Sequence, residues 1–356
     1  MVTALKTSIN ILLVFLFAAC TSVPDERMTP YVDFPETREL TARTLSLDSA
    51  LFRYPYRVRV QDDKAVVLDL HGTEYFFHAF HYPGFHYLSS FGKRGDAPEE
   101  MLSAENLRWN GNFLWTLDSN KSELTRLGFA SSGDSLLRLE AVSLDEELLR
   151  ALDFVQYDDS TFIIPDYSGD SRFCLVSRQG KLLHKIGTIP TTDEDALKNA
   201  HPALAQAWRS FIDYNPRNGV LAAVTQLGEV LEIYNLKDST HIVRIGPNGE
   251  PEFQISQGYG IPTGIMGFSD IQVTDSAIYV VFQGRAFKDI MQKAQQGINL
   301  PDGGQNIYVF SLEGKPLRKY VLDHYIHGIS VDEQKGIIIA TDVNKDCLLY
   351  TSDAAD

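Results

Sequence analysis

Cysteine is scarce in this chain. Three thiols, Cys20, Cys174 and Cys347, among 356 residues are too few for a disulfide framework. Positive charge is also short. Lysine and arginine total 32 against 47 acidic residues, which leaves a formal charge of −15. An acidic domain repels phosphate backbones, and no basic stripe offsets the repulsion, so nucleic acid is excluded as a partner. The apolar run Ile11–Ala19 has nine residues, short of the roughly 20 that a membrane-spanning helix needs. No Gly-x-Ser-x-Gly elbow is present, which removes one common hydrolase nucleophile. What the chain does have is apolar material: 44% hydrophobic and 11% aromatic residues, enough for a large core and too much for disorder.

The two ends read as something other than fold. Lys6 and the run Ile11–Ala19 have the order of an export signal over residues 1–19. The run closes on Phe17-Ala18-Ala19-Cys20, which resembles a lipobox, the site where bacterial signal peptidases cut and the cysteine is acylated. Residues 20–37 are polar and carry Pro24, Pro30 and Pro35, as suits a tether. Acyl chains on Cys20 would hold the protein firmly, at about 0.8 kcal/mol for each buried CH₂. The last ten residues, 347–356, resemble the translation of a widely used sequencing adapter and are expected to lie outside the fold.

Between these ends the chain repeats. Pairs of β-rich runs flank short turns: Tyr56–Gln61 with Ala65–Leu70, Ala104–Trp109 with Phe113–Asp118, and Leu152–Tyr157 with Thr161–Asp166. Ser210–Tyr214 with Val220–Thr225, Phe268–Val273 with Ile278–Phe282, and Ile326–Val331 with Ile337–Thr341 continue the series. The pairs start at 56, 104, 152, 210, 268 and 326, so their spacings are 48, 48, 58, 58 and 58. Six units of that length predict an all-β fold, a six-bladed β-propeller of four-stranded antiparallel blades over residues 38–346. Outer strands end in glycine at Gly92, Gly187 and Gly246, where the chain leaves one blade for the next. Residues 192–209 and 285–296 read as short helical insertions on one face. Leu40–Leu47 is expected to close the ring as the outer strand of the last blade, whose remaining strand is missing or mimicked by the tail.

Two stretches carry a family likeness. They are Arg53-Tyr54-Pro55-Tyr56 through Asp69-Leu70, and Ser90–Glu100, which is similar to the glycine-rich corner that links NHL-type blades. Through them the mature chain resembles the TolB-like six-bladed propeller lipoproteins of Gram-negative bacteria. The resemblance implies an exported protein anchored by lipid in the outer membrane. It also implies binding or scaffolding at the envelope, and it brings no catalytic residue.

Several motifs invite chemistry and resolve into structure. His78 and His81 lie three apart in a strand and face opposite ways, so His71, His78, His81 and His86 do not converge on a metal. Asp166–Asp170 lacks the acidic alternation of a calcium loop and reads as a hairpin turn. Gly258–Gly264 lacks the following helix of a phosphate cradle and reads as a loop between blades 4 and 5. Cys174 sits mid-strand as a small buried hydrophobe.

The remaining candidates stand near the starts of inner strands, which line the axis. Asn106, Asp153, Asp213 and Asp270 could converge at the channel mouth, and Tyr54 and Trp208 could add aromatic contact area there. The reading that follows is a binding module, taken to be monomeric, for a protein or glycan partner, with no cofactor, no metal and no catalysis. The rival is a metal-dependent hydrolase or lactonase that uses the same acidic residues. A third is a purely structural envelope scaffold.

Overall fold

The computed structural model describes residues 28–47 and 52–351. Six antiparallel sheets stand in a ring as the blades of a β-propeller. From the inside outward, blade 1 is Pro55–Gln61, Lys64–Asp69, Tyr75–His81 and His86–Lys93. Blade 2 is Ala104–Asn110, Phe113–Asp118, Glu123–Phe129 and Leu136–Ser143. Blade 3 is Val155–Gln156, Thr161–Pro165, Phe173–Ser177 and Leu182–Ile186. Blade 4 is Ser210–Asn215, Val220–Thr225, Val230–Asn235 and Thr240–Ile245. Blade 5 is Phe268–Val273, Ala277–Phe282, Gly304–Ser311 and Pro316–Ile326. Blade 6 is Ile329–Asp332, Ile337–Asp342 and Cys347–Thr351, completed on its outside by Arg43–Thr44.

Burial follows position in the blade. Second strands are covered on both faces by neighbouring blades, so Val220–Thr225 and Ala277–Phe282 are buried at every residue. That is why they read as unbroken runs of Val, Ile, Leu and Ala. Outer strands have one wet face and alternate, as in Leu136–Ser143. Glycine ends two of the outer strands for a conformational reason: Gly92 and Gly187 have φ of 66° and 67°, a region that side chains with a Cβ rarely adopt.

The ring closes where the sequence expects it. Arg43–Thr44 pairs antiparallel with Leu349 and Tyr350. The tail residues Cys347–Thr351 fill the third-strand place of blade 6, with Leu348 and Leu349 buried. Two further strands come from the segment read as a tether, so from Met28 onward it belongs to the ring. Met28–Pro30 lies parallel to Val243–Ile245 on blade 4, and Thr37–Leu40 lies parallel to Lys319–Leu322 on blade 5. Residues 28–44 therefore lace the outer edges of blades 4, 5 and 6. Tyr31 and Phe34 plug this lace into the core against Tyr308 and Phe310, with ring centroids 4.6 to 5.2 Å apart. Cys20 and residues 352–356 lie outside the described residues.

Three details differ from the sequence reading. The inner strand of blade 3 shrinks to Val155–Gln156, because the Phe154 N–H bonds to the Asp153 side chain at 2.8 Å instead of entering a ladder. The inner strand of blade 6 starts at Ile329, because Ile326 ends the long outer strand of blade 5. The glycine-rich stretch after blade 4 is a hairpin, Phe253–Ser256 with Tyr259–Pro262, and not a plain loop. Gln257 and Gly258 both take positive φ, 52° and 82°, the geometry of a tight two-residue hairpin turn.

Inner strands all start on one side of the disc, here called the upper face. The inserted elements lie there. Helix α1 (Glu194–Asn199) is capped by the Asp193 carboxylate, which accepts from the Ala196 N–H at 2.9 Å. Helix α2 (His201–Ala207) follows with Pro202 in its first turn. Helix α3 (Phe287–Gln295) rises from blade 5. Among the described residues, no helix is long and apolar enough to cross a membrane.

Candidate functional site

The axis is the natural place to look, because it is where the six inner strands meet. Inner strands of neighbouring blades do not share a ladder, so side chains must join them. Asp153 on blade 3 accepts the Ile212 N–H of blade 4 at 2.9 Å. Asp213 on blade 4 accepts the Val273 N–H of blade 5 at 2.7 Å. Asp270 on blade 5 accepts the Ile329 N–H of blade 6 at 2.8 Å. The partners lie 59, 60 and 59 residues apart, so the same staple recurs at three successive blade junctions. Blades 6 and 1 are joined by the Val60 N–H donating to Ser330 Oγ at 3.1 Å. Blades 1 and 2 are joined by Trp109 Nε1 donating to the Arg59 carbonyl at 3.2 Å. Between blades 2 and 3, Asn106 Nδ2 donates to Asp153 at 2.6 Å. These bonds run all the way round the axis.

Three arginines fill the space inside that ring. Arg59 makes a two-pronged contact with Asp270, at 2.8 and 3.0 Å. Arg57 Nε stands 3.2 Å from the same carboxylate. Arg108 bridges Asp153 and Asp213, at 3.1 Å to each, and also donates to the carbonyls of Phe154 and Ile212. Arg57, Arg59, Arg108, Asp153 and Asp270 are all buried. Burial opposes the charge on Asp270, but Arg57 and Arg59 outweigh it and hold its carboxyl below the ordinary range. Burial, the larger influence, pushes the Asp213 carboxyl up against the pull of Arg108 and Arg59. The four polar residues expected at the axis are therefore brought together, and what they grip is arginine and backbone. Among the described residues, no group of three or more His, Cys, Asp or Glu side chains is placed to hold a metal ion.

Above the ionic layer the mouth is aromatic. The Arg57 guanidinium lies between the rings of Tyr56 and Phe211, 4.1 and 4.5 Å from their centroids. His327 packs on Tyr56 at 4.4 Å, and its Nδ1 accepts from Arg57 Nη1 at 3.0 Å. Burial, then the Arg57 charge, pushes this imidazole down to about 3, so it is neutral at ordinary pH. Tyr54 donates to the Asp302 carboxylate and lies 4.6 Å from the His71 ring. Trp208 is elsewhere: 1% exposed, it packs with Leu204, Leu227 and Val230 in the seam between α2 and blade 4.

The other motifs settle as structure. Asp166 accepts the N–H groups of Ser168 and Ser171 within its own turn. Burial pushes the Cys174 thiol up to about 12. The sequence reading passed over the three arginines, although Arg57, Arg59 and Arg108 each sit between apolar neighbours in an inner strand. A charge in such a strand is the signal that would have found them.

The upper face around this mouth is where the insertions gather. The Gly260 N–H donates to Gln206 of α2 at 3.0 Å, and the Phe287 N–H of α3 donates to the Gly264 carbonyl at 3.0 Å. Phe253 and Phe287 pack on the same cluster as α1 and α2. The joined elements leave Ile255, Tyr259, Ile261, Met291 and Ile298 exposed, between 46% and 62%.

Comparison with known proteins agrees with this architecture. The profile of the family described as TolB-like 6-blade propeller-like matches residues 33–334. The chain belongs to this family. Solved structures also match in fold: a protein from Bacteroides fragilis described as exported superposes with a TM-score of 0.57 at 10% identity, over 91% of this chain and 99% of that one. An auxiliary nutrient binding protein from Bacteroides ovatus superposes with a TM-score of 0.54 at 10% identity, over 87% of this chain and 76% of that one. No curated protein matches the sequence.

Proposed function

We propose that this TolB-like propeller is a lipid-anchored module of the Gram-negative outer membrane that binds a protein or glycan partner on its upper face. The observation that carries the reading is the gathering of all three described helices and the extra hairpin on that face, with five large apolar side chains left exposed. Folding gains nothing from exposing them, and exposed apolar side chains gathered at one end of the molecule favour an interaction surface. Aromatic side chains at the mouth beside it, Tyr54 and Tyr56, add rigid contact area. The exported and nutrient-binding descriptions of the two Bacteroides propellers are in keeping with such a role.

A photo-cross-linking amino acid placed in cells at position 259 or 291 is expected to capture a discrete partner. The same probe at Asp158, on a lower-face turn, is expected to capture none. Adducts from position 158 alone would overturn the reading. Cys20→Ser is expected to move the protein from the membrane to the soluble fraction, and membrane retention of that variant rules out the anchor.

A further inference from the structure

We propose that the outer edge of blade 2 docks an extended segment of a partner polypeptide, added as a fifth strand beside Leu136–Ser143. This surface is distinct from the upper face.

The fold itself supplies the precedent. Blades 4 and 5 each carry a fifth strand in parallel on their outer edges, contributed by residues 28–30 and 37–40. Those added strands are short, and they bring Pro30, Arg38 and Glu39 to the rim, residues that discourage further pairing. Blade 6 ends on the two residues Arg43–Thr44. Blade 2 ends on a strand of eight residues, bare except at Ser143, whose carbonyl lies against Gly180 of blade 3. Among the described residues, the outward backbone groups of that strand have no backbone partner.

Nor is this edge guarded by its side chains. Leu137 and Leu139 are 52% and 50% exposed, beside Phe113 of the same blade at 37%. Arg138 and Glu140 lie between and after them, but both are tied back, Arg138 to Glu123 at 2.8 Å and Glu140 to Arg178 at 2.5 Å. The outer strand of blade 3 is only five residues long. That of blade 1 is as long, but it carries His86 where blade 2 carries Leu137, and its Leu88, in the place of Leu139, is half-buried.

A bulge interrupts the ladder between the third and outer strands of blade 2, at Arg126 and Leu127, and bulges can protect an edge. Blade 5 answers this objection. It has the same irregularity at Val309 and Phe310, yet it carries its added strand just beyond, at Lys319–Leu322. The matching stretch of blade 2 is Ala141–Leu144. An open groove of about 790 Å³ runs beside it, walled by residues 140–146 and by Arg178, Gln179 and Lys181 of blade 3.

Added strands draw affinity from backbone bonds and specificity from alternate side chains. The occupant is therefore an extended segment with apolar residues at every second position, to cover Leu137 and Leu139, and without proline where it pairs. A second copy of this chain fits less well. Two equal edges pair antiparallel about a two-fold axis, which turns one propeller upside down against the other. That inversion is incompatible with two copies tethered to one membrane, a point that rests on the anchor proposed above.

The test is selection of a phage-displayed library of random peptides, about twelve residues long so as to span the strand, against the purified full-length protein. Enriched peptides should alternate apolar and polar residues. They should bind the Leu137→Lys, Leu139→Lys double variant at least ten-fold more weakly, and bind Tyr259→Ser as tightly as the original. Hydrogen exchange should show Leu136–Ser143 gaining protection when peptide is added. Absence of enrichment, or equal binding to the lysine variant once its unfolding curve shows it folded, overturns the proposal. So does a concentration-dependent dimer that the same two lysines abolish, which assigns the edge to a second copy. Because Tyr259 is a separate readout, failure here leaves the upper-face reading standing, and the reverse holds too.

Discussion

Asp270 is a single carboxylate in contact with two buried guanidinium groups and one backbone N–H. Removing it leaves Arg57 and Arg59 buried without the carboxylate that both contact. Breaking a buried pair in this way costs about 3–5 kcal/mol. Asp270→Ala should therefore lower the free energy of unfolding by that amount in a urea titration. Asp159→Ala, on an exposed turn, should stay within about 0.5 kcal/mol of the original. A cost for Asp270→Ala below about 1 kcal/mol would mean that the axial charges are solvated. The carboxylates were legible in the sequence because acids near inner-strand starts point at the axis. Their partners were not. Arg59 and Asp270 are 211 positions apart, and no local period connects them.

Strands were more legible than single contacts. The paired runs with turns between them marked six inner hairpins, and both helical insertions fell where composition put them. The closing strand near residue 43 was also legible, because a ring has one vacant outer place to fill. The two parallel additions, Met28–Pro30 and Thr37–Leu40, were not, because strands of three and four residues carry no readable alternation. Their fit depends on Phe34, which is buried against Tyr31, Tyr308 and Phe310. Truncating a buried phenylalanine costs about 3–5 kcal/mol. Phe34→Ala should show that loss on chemical unfolding and should speed hydrogen exchange in the outer strands of blades 4 and 5 ahead of blades 1 to 3. Uniform exchange across all six blades would show that the lace is dispensable.

The whole molecule carries a formal charge of −15, while the arginines and aspartates at its axis are shielded from solvent. Salt acts on exposed charges and reaches buried pairs poorly. Raising sodium chloride from about 0.02 to 0.5 M should therefore relieve surface repulsion and raise the melting temperature by a few degrees. A fall in melting temperature would place the ionic layer in contact with water.

Thr44 pairs with Leu349 across nearly the full length of the described chain. A polypeptide delivered end-first, from a ribosome or through a membrane pore, can assemble hairpins as they appear but cannot lock the circle until residues 347–351 arrive. Contacts so distant in sequence also form slowly. The seam of the last blade thus works as a clasp: the ring stays pliable until residues 43–44 and 349–350 meet.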